Sequence, residues 1–465
     1  MHKRLPFLGS CLMGVLLLAA LALTIVPAPA LAQQPTPTPT DPVWRAFATA
    51  RDAIEQERSV DLRIVQSYQF VQSEWQQGID DGCRTLDEGE FSRRVWFGWT
   101  FTITGLRGDT YQARVSFDLN DVAVCDQVIS SAPAQPGPET DPDLPAPVAG
   151  SAAIGGFELG GHVLELNSNT VSLMRRAGMT WVKKQLEYKL GDSPSKAAGL
   201  INEAKANGFK ILLGIKGDKS QMGDFNAYIG SFADFLGGVA ALGADAIEVW
   251  NEPNIDREWP AGSINGGSYT QMLARAFNAI KSSNPNTLVI SGAPAPTGFF
   301  GAAGCGSGGC NDDVFMQQMA QAGAAQYMDC VGLHYNEGII PPTQTSGDPR
   351  GEYPTYYFGS MLARGYNPFG GKPVCFTELG YLSGEGFRTP IPAAFGWASN
   401  TSVQEHATWL AQAATAAAQS GRVRLMIVWN VDFPFYTATD PMGGYAMFRP
   451  DGTCPACDTL GAVMR

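Results

Sequence analysis

Between residues 154 and 465, short apolar runs nearly free of charge recur about every 30 to 50 residues, at 154–162, 179–188, 209–217, 246–254, 287–294, 329–336, 373–381 and 423–433. Continuous apolar strands of this kind belong to parallel sheets covered on both faces, and parallel neighbours need a crossover between them. The intervening stretches supply it. In 268–283, Tyr269, Met272, Leu273, Ala276, Phe277 and Ile280 recur at three- and four-residue steps, the period of an amphipathic helix. Ser268 with Gln271, and Ser402 with Glu405, have the spacing of capping boxes, and Gly421 suits a helix end. Eight strand-helix units predict a closed (β/α)8 barrel, the TIM barrel, over residues 151–465. The competing open, doubly wound sheet wants a Gly-rich phosphate turn, and Gly155-Gly156 with Gly160-Gly161 do not have its spacing.

The chain ahead of the barrel divides by composition. Lys3 and Arg4, an apolar run over 12–26, and Ala30-Leu31-Ala32 before Gln33 read as a secretory signal peptide, residues 1–32. An uncleaved anchor is the lesser reading, because a span needs about 20 apolar residues. Segments 33–42 and 131–150 are rich in Pro and small or acidic residues and read as extended linkers. Between them, 43–130 predicts a small α+β or β-rich domain of unassigned role. It opens with a helix sharing Trp44, Phe47, Ala48 and Ile54 on one face and continues in β-branched and aromatic runs. Trp75, Trp96 and Trp99 are either a binding platform or core, so a glycan or cell-wall contact through this domain stays open.

Charge and cysteine narrow the function classes. Only 16% of residues are charged and the formal net charge is -12, so a nucleic-acid partner, which demands clustered Lys and Arg, is excluded, and membrane insertion after leader cleavage is not expected. Nine cysteines become eight once Cys11 leaves with the leader, an even set that fits disulfides in an exported protein. Spacing pairs Cys305 with Cys310, Cys454 with Cys457 and Cys83 with Cys125. That leaves Cys330 with Cys375, which open neighbouring barrel strands six and seven. The Cys454-Pro455-Ala456-Cys457 stretch is placed in a C-terminal turn, as a structural bridge rather than a redox or zinc motif. His162, His334 and His406 lack paired-ligand spacing, no Gly-x-Ser-x-Gly elbow follows a strand, and no cofactor is expected.

In such barrels reacting groups sit at the C-terminal strand ends. Two carboxylates stand there: Glu252 after strand four, in Trp250-Asn251-Glu252-Pro253, and Glu378 in strand seven, in Phe376-Thr377-Glu378-Leu379. Two acids over one opening suit cleavage of a glycosidic bond, where one protonates the leaving oxygen and the other meets the positive charge at the sugar carbon. Their surroundings must then hold one protonated and the other ionised near neutral pH.

With Asn251-Glu252-Pro253, Glu378, His334-Tyr335 and Trp429 each at a strand end in order, the barrel resembles glycoside hydrolase clan A, the retaining (β/α)8 enzymes that include families 5 and 39. The resemblance implies a catalytic Glu252 as acid/base and Glu378 as nucleophile, with Asn251 on the sugar 2-hydroxyl. It further implies that His334 and Tyr335 tune the nucleophile and that Trp429 floors the sugar subsite. The substrate would be a polysaccharide or oligosaccharide. Two positions depart from the pattern. Strand two offers Lys183 and Gln185 where many clan members place Arg, and strand three offers Lys216 where His is common, a cation that either pairs with an acid or favours an anionic substituent. Trp250, Trp397, Tyr381 and Tyr436 are candidates for stacking on sugar or for packing. The alternative function is a catalytically inactive barrel acting as a secreted carbohydrate-binding or cell-surface interaction protein.

Overall fold

The computed structural model describes residues 42–76, 83–85, 95–116, 119–128, 144–148, 155–297, 300, 304–351 and 353–465. The leader and most of both linkers lie outside the described residues.

Each apolar run carries one strand of an eight-stranded parallel sheet. In chain order these are β6 (Glu158–His162), β7 (Trp181–Tyr188), β8 (Lys210–Gly217), β9 (Ala246–Val249), β10 (Leu288–Ser291), β13 (Val331–Gly338), β14 (Val374–Tyr381) and β15 (Val423–Val428). The helices that follow them in turn are α2 (Ser168–Arg176), α3 (Ala198–Ala206), α4 (Phe225–Ala241), α5 (Gly266–Ser283), α6 (Asp312–Gln321), α7 (Phe358–Tyr366), α8 (Val403–Ser420) and α9 (Pro455–Val463). A small hairpin, β11 (Cys305–Gly306) and β12 (Gly309–Cys310), interrupts the connection from β10 to α6.

The sheet runs β10-β9-β8-β7-β6-β15-β14-β13, and a parallel bridge between Ile290 and Cys330 brings its two ends together. Glycine makes that closure possible. A Cβ on Gly332 would stand 2.0 Å from the Ser291 carbonyl oxygen, so any side chain there would force the seam apart. Gly332 N–H instead donates to Ser291 Oγ at 2.9 Å.

Two local readings are corrected. α5 begins at Gly266, not Ser268, because Asn265 is its cap and accepts from Gly267 N–H and Ser268 N–H. The Cys454 to Cys457 stretch opens α9 with Pro455 in its first turn rather than lying in a turn. Both sulfurs are buried there. The other local readings agree with the structure: Ser402 and Glu405 form a reciprocal capping box on α8, and Gly421 ends it with a left-handed φ of 64°.

Four disulfides close, joining Cys83–Cys125, Cys305–Cys310, Cys330–Cys375 and Cys454–Cys457. Such a set fits an oxidising compartment. No helix among the described residues is long and apolar enough to cross a membrane.

Ahead of the barrel, α1 (Pro42–Arg58) lies on a five-stranded antiparallel sheet made of β1 (Val65–Gln76), β2 (Cys83–Thr85), β3 (Val95–Gly105), β4 (Thr110–Ser116) and β5 (Val122–Cys125). Its core shares one apolar cluster with Ile340, Tyr353, Tyr356 and Tyr357 of the connection from β13 to α7. Arg364 on α7 pairs with buried Asp312 and donates from Nε to the Gln66 carbonyl, tying sheet to barrel. Trp99 is buried in that core and is no binding platform; the side chains of Trp75 and Trp96 lie outside the described residues.

Candidate active site

Inside the barrel an apolar layer that includes Leu212, Ala246, Ile290, Leu425 and the Cys330–Cys375 bridge fills the lower half. One step further along the same strands the filling becomes charged. Lys183 of β7 and Glu248 of β9 pair at 2.8 Å with no exposure of either side chain. Lys183 Nζ also reaches Glu378 Oε1 on β14 at 3.4 Å and donates to the Thr377 carbonyl at 3.2 Å. Gly214 on β8 makes room for this pair, since a Cβ there would sit 3.0 Å from Glu248 Oε2 and 3.1 Å from Lys183 Cε. Burial, the largest influence on Lys183, pushes its pKa down, but Glu248 and Glu378 outweigh it and hold the ammonium charged. The cation that stands in place of arginine is therefore a point charge shared between two carboxylates.

Glu252 reaches the opening through an unusual turn. After β9, Trp250 adopts a left-handed φ of 76°, and its fully buried ring is wedged against Phe232 and Trp259 at centroid distances of 5.6 Å and 5.3 Å. A non-glycine residue there costs on the order of 1–3 kcal/mol, a conformation that persists where surrounding packing over-determines it. The turn directs Asn251 and Glu252 over the mouth. His334 of β13 then links the two acids: its Nδ1 lies 3.1 Å from Glu252 Oε1 and 3.9 Å from Glu378 Oε2. Those two oxygens are thus no farther apart than about 7 Å, a bound that admits the ~5–5.5 Å carboxyl spacing of a retaining glycosidase. Asn336, also on β13, donates to Glu378 Oε2 at 3.4 Å.

Their surroundings push the two imidazoles at the mouth in opposite directions. Burial is the largest influence on His334 and lowers its pKa, yet Glu378 and Glu252 raise it above the ordinary value, favouring imidazolium. His162 is held well below that value by burial first and by Lys183 and Lys184 next. Its ring packs edge-on against Trp429 at 4.7 Å. Trp429 is half-buried beyond β15, where it meets Phe433 at 5.2 Å.

Glu252 is ionised as it stands. Burial, again the largest influence, pushes its carboxyl up, but the His334 hydrogen bond and the Arg257 charge outweigh burial and bring it to about 2. Arg257 Nη2 bonds Glu252 Oε2 directly. Glu258 organises the backbone beneath: it accepts from Asn251 Nδ2 at 2.9 Å and from Glu252 N–H at 3.3 Å, and lies 3.6 Å from Lys216 Nζ. With its amide nitrogen so engaged, Asn251 Oδ1 is buried without a hydrogen-bond partner among the described residues.

The structure thus gathers Glu252, Glu378, Asn251, His334, Lys183 and Trp429 around one opening. Gln185 is at the rim, on the inward face of β7 like Lys183, and exposed. Tyr335 and Tyr381 are corrections. Both are buried on the outer face of the barrel, Tyr335 against Phe358 of α7 at 6.0 Å and Tyr381 against Trp409 of α8 at 5.4 Å. Strand alternation is the reason: with His334 facing in, its neighbour Tyr335 faces out. Trp250 is packing too, while Trp397 and Tyr436 remain half-buried near the mouth side. Sequence reading passed over Glu248, Arg257, Glu258 and Asn336. A carboxylate inside an apolar strand marked Glu248, and alternation from His334 marked Asn336; Arg257 and Glu258, in an irregular loop, carry no periodic signal. Among the described residues no group of three or more His, Cys, Asp or Glu is placed to hold a metal ion.

No family model matches the chain, and no curated protein matches it. Several solved structures align with it over much of its length. A family 39 glycoside hydrolase from the gut symbiont Bacteroides cellulosilyticus is 15% identical over 86% of this chain and 80% of its own, with a TM-score of 0.46. An endo-1,4-beta-mannanase from Rhizomucor miehei is 14% identical over 66% of this chain and 95% of its own, TM-score 0.44. An endoglucanase from Thermotoga maritima is 13% identical over 65% and 96%, TM-score 0.40.

Proposed function

We propose that the chain is a secreted, retaining glycoside hydrolase that cleaves O-glycosidic bonds of a polysaccharide or oligosaccharide. The observation that carries this is the convergence of Glu252 and Glu378 on a single nitrogen, His334 Nδ1. The leader-like residues 1–32 and the four disulfides support export.

Glu378, with Lys183 and Asn336 on its oxygens, attacks the anomeric carbon. The C–O bond to the leaving sugar breaks as Glu252 delivers a proton to that oxygen. Glu252, now ionised, takes a proton from water, whose oxygen displaces Glu378 and releases the sugar with configuration retained. Lys183 Nζ and His334 Nδ1 stand beside the two oxygens of Glu378, at 3.4 Å and 3.9 Å. In this reading Asn251 Oδ1, which has no hydrogen-bond partner among the described residues, accepts from a sugar hydroxyl, and the half-buried Trp429 packs on a sugar face.

The test is a glycan panel with wild type, Glu378→Ala and Glu378→Ala plus azide. Loss of turnover by about a thousandfold or more, about 4 kcal/mol, with return through azide, is expected. Turnover like wild type in Glu378→Ala overturns the assignment. The binding reading has its own support in the resting ion pair of Glu252 with Arg257. It prevails where the protein binds a glycan, releases no sugar, and keeps that affinity in Glu252→Gln.

A further inference from the structure

The first chemical step asks Glu252 for a proton, yet Arg257 occupies one carboxylate oxygen and His334 lies against the other. A carboxylate so paired has no proton to give. Of the two partners His334 is fixed, fully buried on β13, whereas the Arg257 side chain is 48% exposed on the loop after β9. Arg257 is therefore the group that must leave before Glu252 can carry a proton. Half-exposed ion pairs are weak and readily exchanged, and an anion offers the guanidinium a charged, bidentate acceptor that water does not. Glu258, whose charge also acts on Arg257, is occupied by Asn251, the Glu252 N–H and Lys216.

We infer that the substrate of this site is a glycan with an anionic substituent, a carboxylate or sulfate, on a sugar beside the scissile bond, and that Arg257 reads it by exchanging Glu252 for that anion. The planar fork of a guanidinium matches both groups through two parallel N–H donors. Once Arg257 has moved to the substrate, Glu252 keeps His334 but loses the guanidinium and faces the negative charges of Glu378 and the bound anion, changes that both push its carboxyl up toward the protonated form. Binding the correct substrate thus arms the acid. A neutral glycan brings no charge to exchange and leaves the pair intact. Lys216, 29% exposed on β8 and 3.6 Å from Glu258, is a second cation beside this loop. This inference rests on the glycosidase reading of the site.

The experiment measures kcat/KM on uronate-bearing polysaccharides paired with their carboxyl-reduced forms, and on sulfated ones paired with their desulfated forms. Wild type, Arg257→Gln and Arg257→Lys are compared, with melting curves confirming that each is folded. Wild type is expected to favour one acidic series over its neutral counterpart by about tenfold or more, Arg257→Gln to bring that ratio close to one, and Arg257→Lys to fall between. The arm that shows the preference identifies carboxylate or sulfate. Equal wild-type turnover of acidic and neutral partners, or an unchanged ratio in Arg257→Gln, overturns the inference and leaves the glycosidase reading standing. Failure of wild type to hydrolyse any member overturns both.

Discussion

The two halves of the barrel interior are built on the same strands and solve opposite problems. β7 carries Trp181 and then Lys183, β9 Ala246 and then Glu248, and β14 Cys375 and then Glu378. Below, the inward positions are apolar and cross-linked, and burying each large side chain contributes about 1.5–3 kcal/mol. Above, fully buried charges stand in the same environment and are tolerated only because each faces a partner. The lower half holds the cylinder's shape, so the upper half can spend its inward positions on charge, which is where strain and perturbed protonation gather at functional sites.

The sharpest way to break that contrast is Lys183→Met. It leaves Glu248 and Glu378 buried without their cation, and a loss of about 3–5 kcal/mol in denaturant unfolding is expected. A loss under about 1 kcal/mol, the worth of an exposed pair, would show that the upper layer is not tightly coupled. Removing the lower cross-link with Cys330→Ala and Cys375→Ala opens a loop with a sequence separation of 45 and is expected to cost about 2–4 kcal/mol, while the folded fraction keeps its activity. Loss of activity in well-folded double variant would mean that the two halves are not separable. Glu248→Gln leaves Lys183 Nζ with Glu378 as its one charged partner, so the attacking carboxylate is held more tightly by the cation. A fall in kcat of about tenfold, about 1.4 kcal/mol, is expected, with a smaller stability change than in Lys183→Met.

Protonation gives the smallest expected effect. His334 has its pKa raised in the folded chain, so its stabilising contribution is fully present below the ordinary value of 6.5 and is lost as pH rises through the folded one. Unfolding free energy measured from neutral to alkaline pH should decline through that window in wild type, and the decline should vanish in His334→Gln. The apolar half contributes no such slope. A decline that persists unchanged in the variant assigns it to another group.

Much of this was legible in the chain. Period-two and period-3.6 patterns are imposed by neighbours a few residues away, so the eight strands, their crossovers and the cap at Ser402 could be read directly. Strand ends located Glu252 and Glu378, and parallel adjacency located Cys330 beside Cys375. Tyr335 was read from the resemblance and Tyr381 as a stacking aromatic at a strand end, but each stands an odd number of positions from an inward residue, His334 or Glu378, and so faces out. Arg257 was invisible because the turn at Trp250 follows no period.

The sequence by itself determined the number and order of the strands, the closed parallel architecture and the level at which two acids stand, since these follow from local periodicity and burial. The tertiary structure alone decided which charges meet: Lys183 with Glu248 and Glu378, His334 between the acids, Arg257 on Glu252. Residues 183 and 378 are separated by 195 positions, and what couples them is the width of a closed barrel and the cost of an unpaired charge inside it, neither of which is written in any stretch of chain.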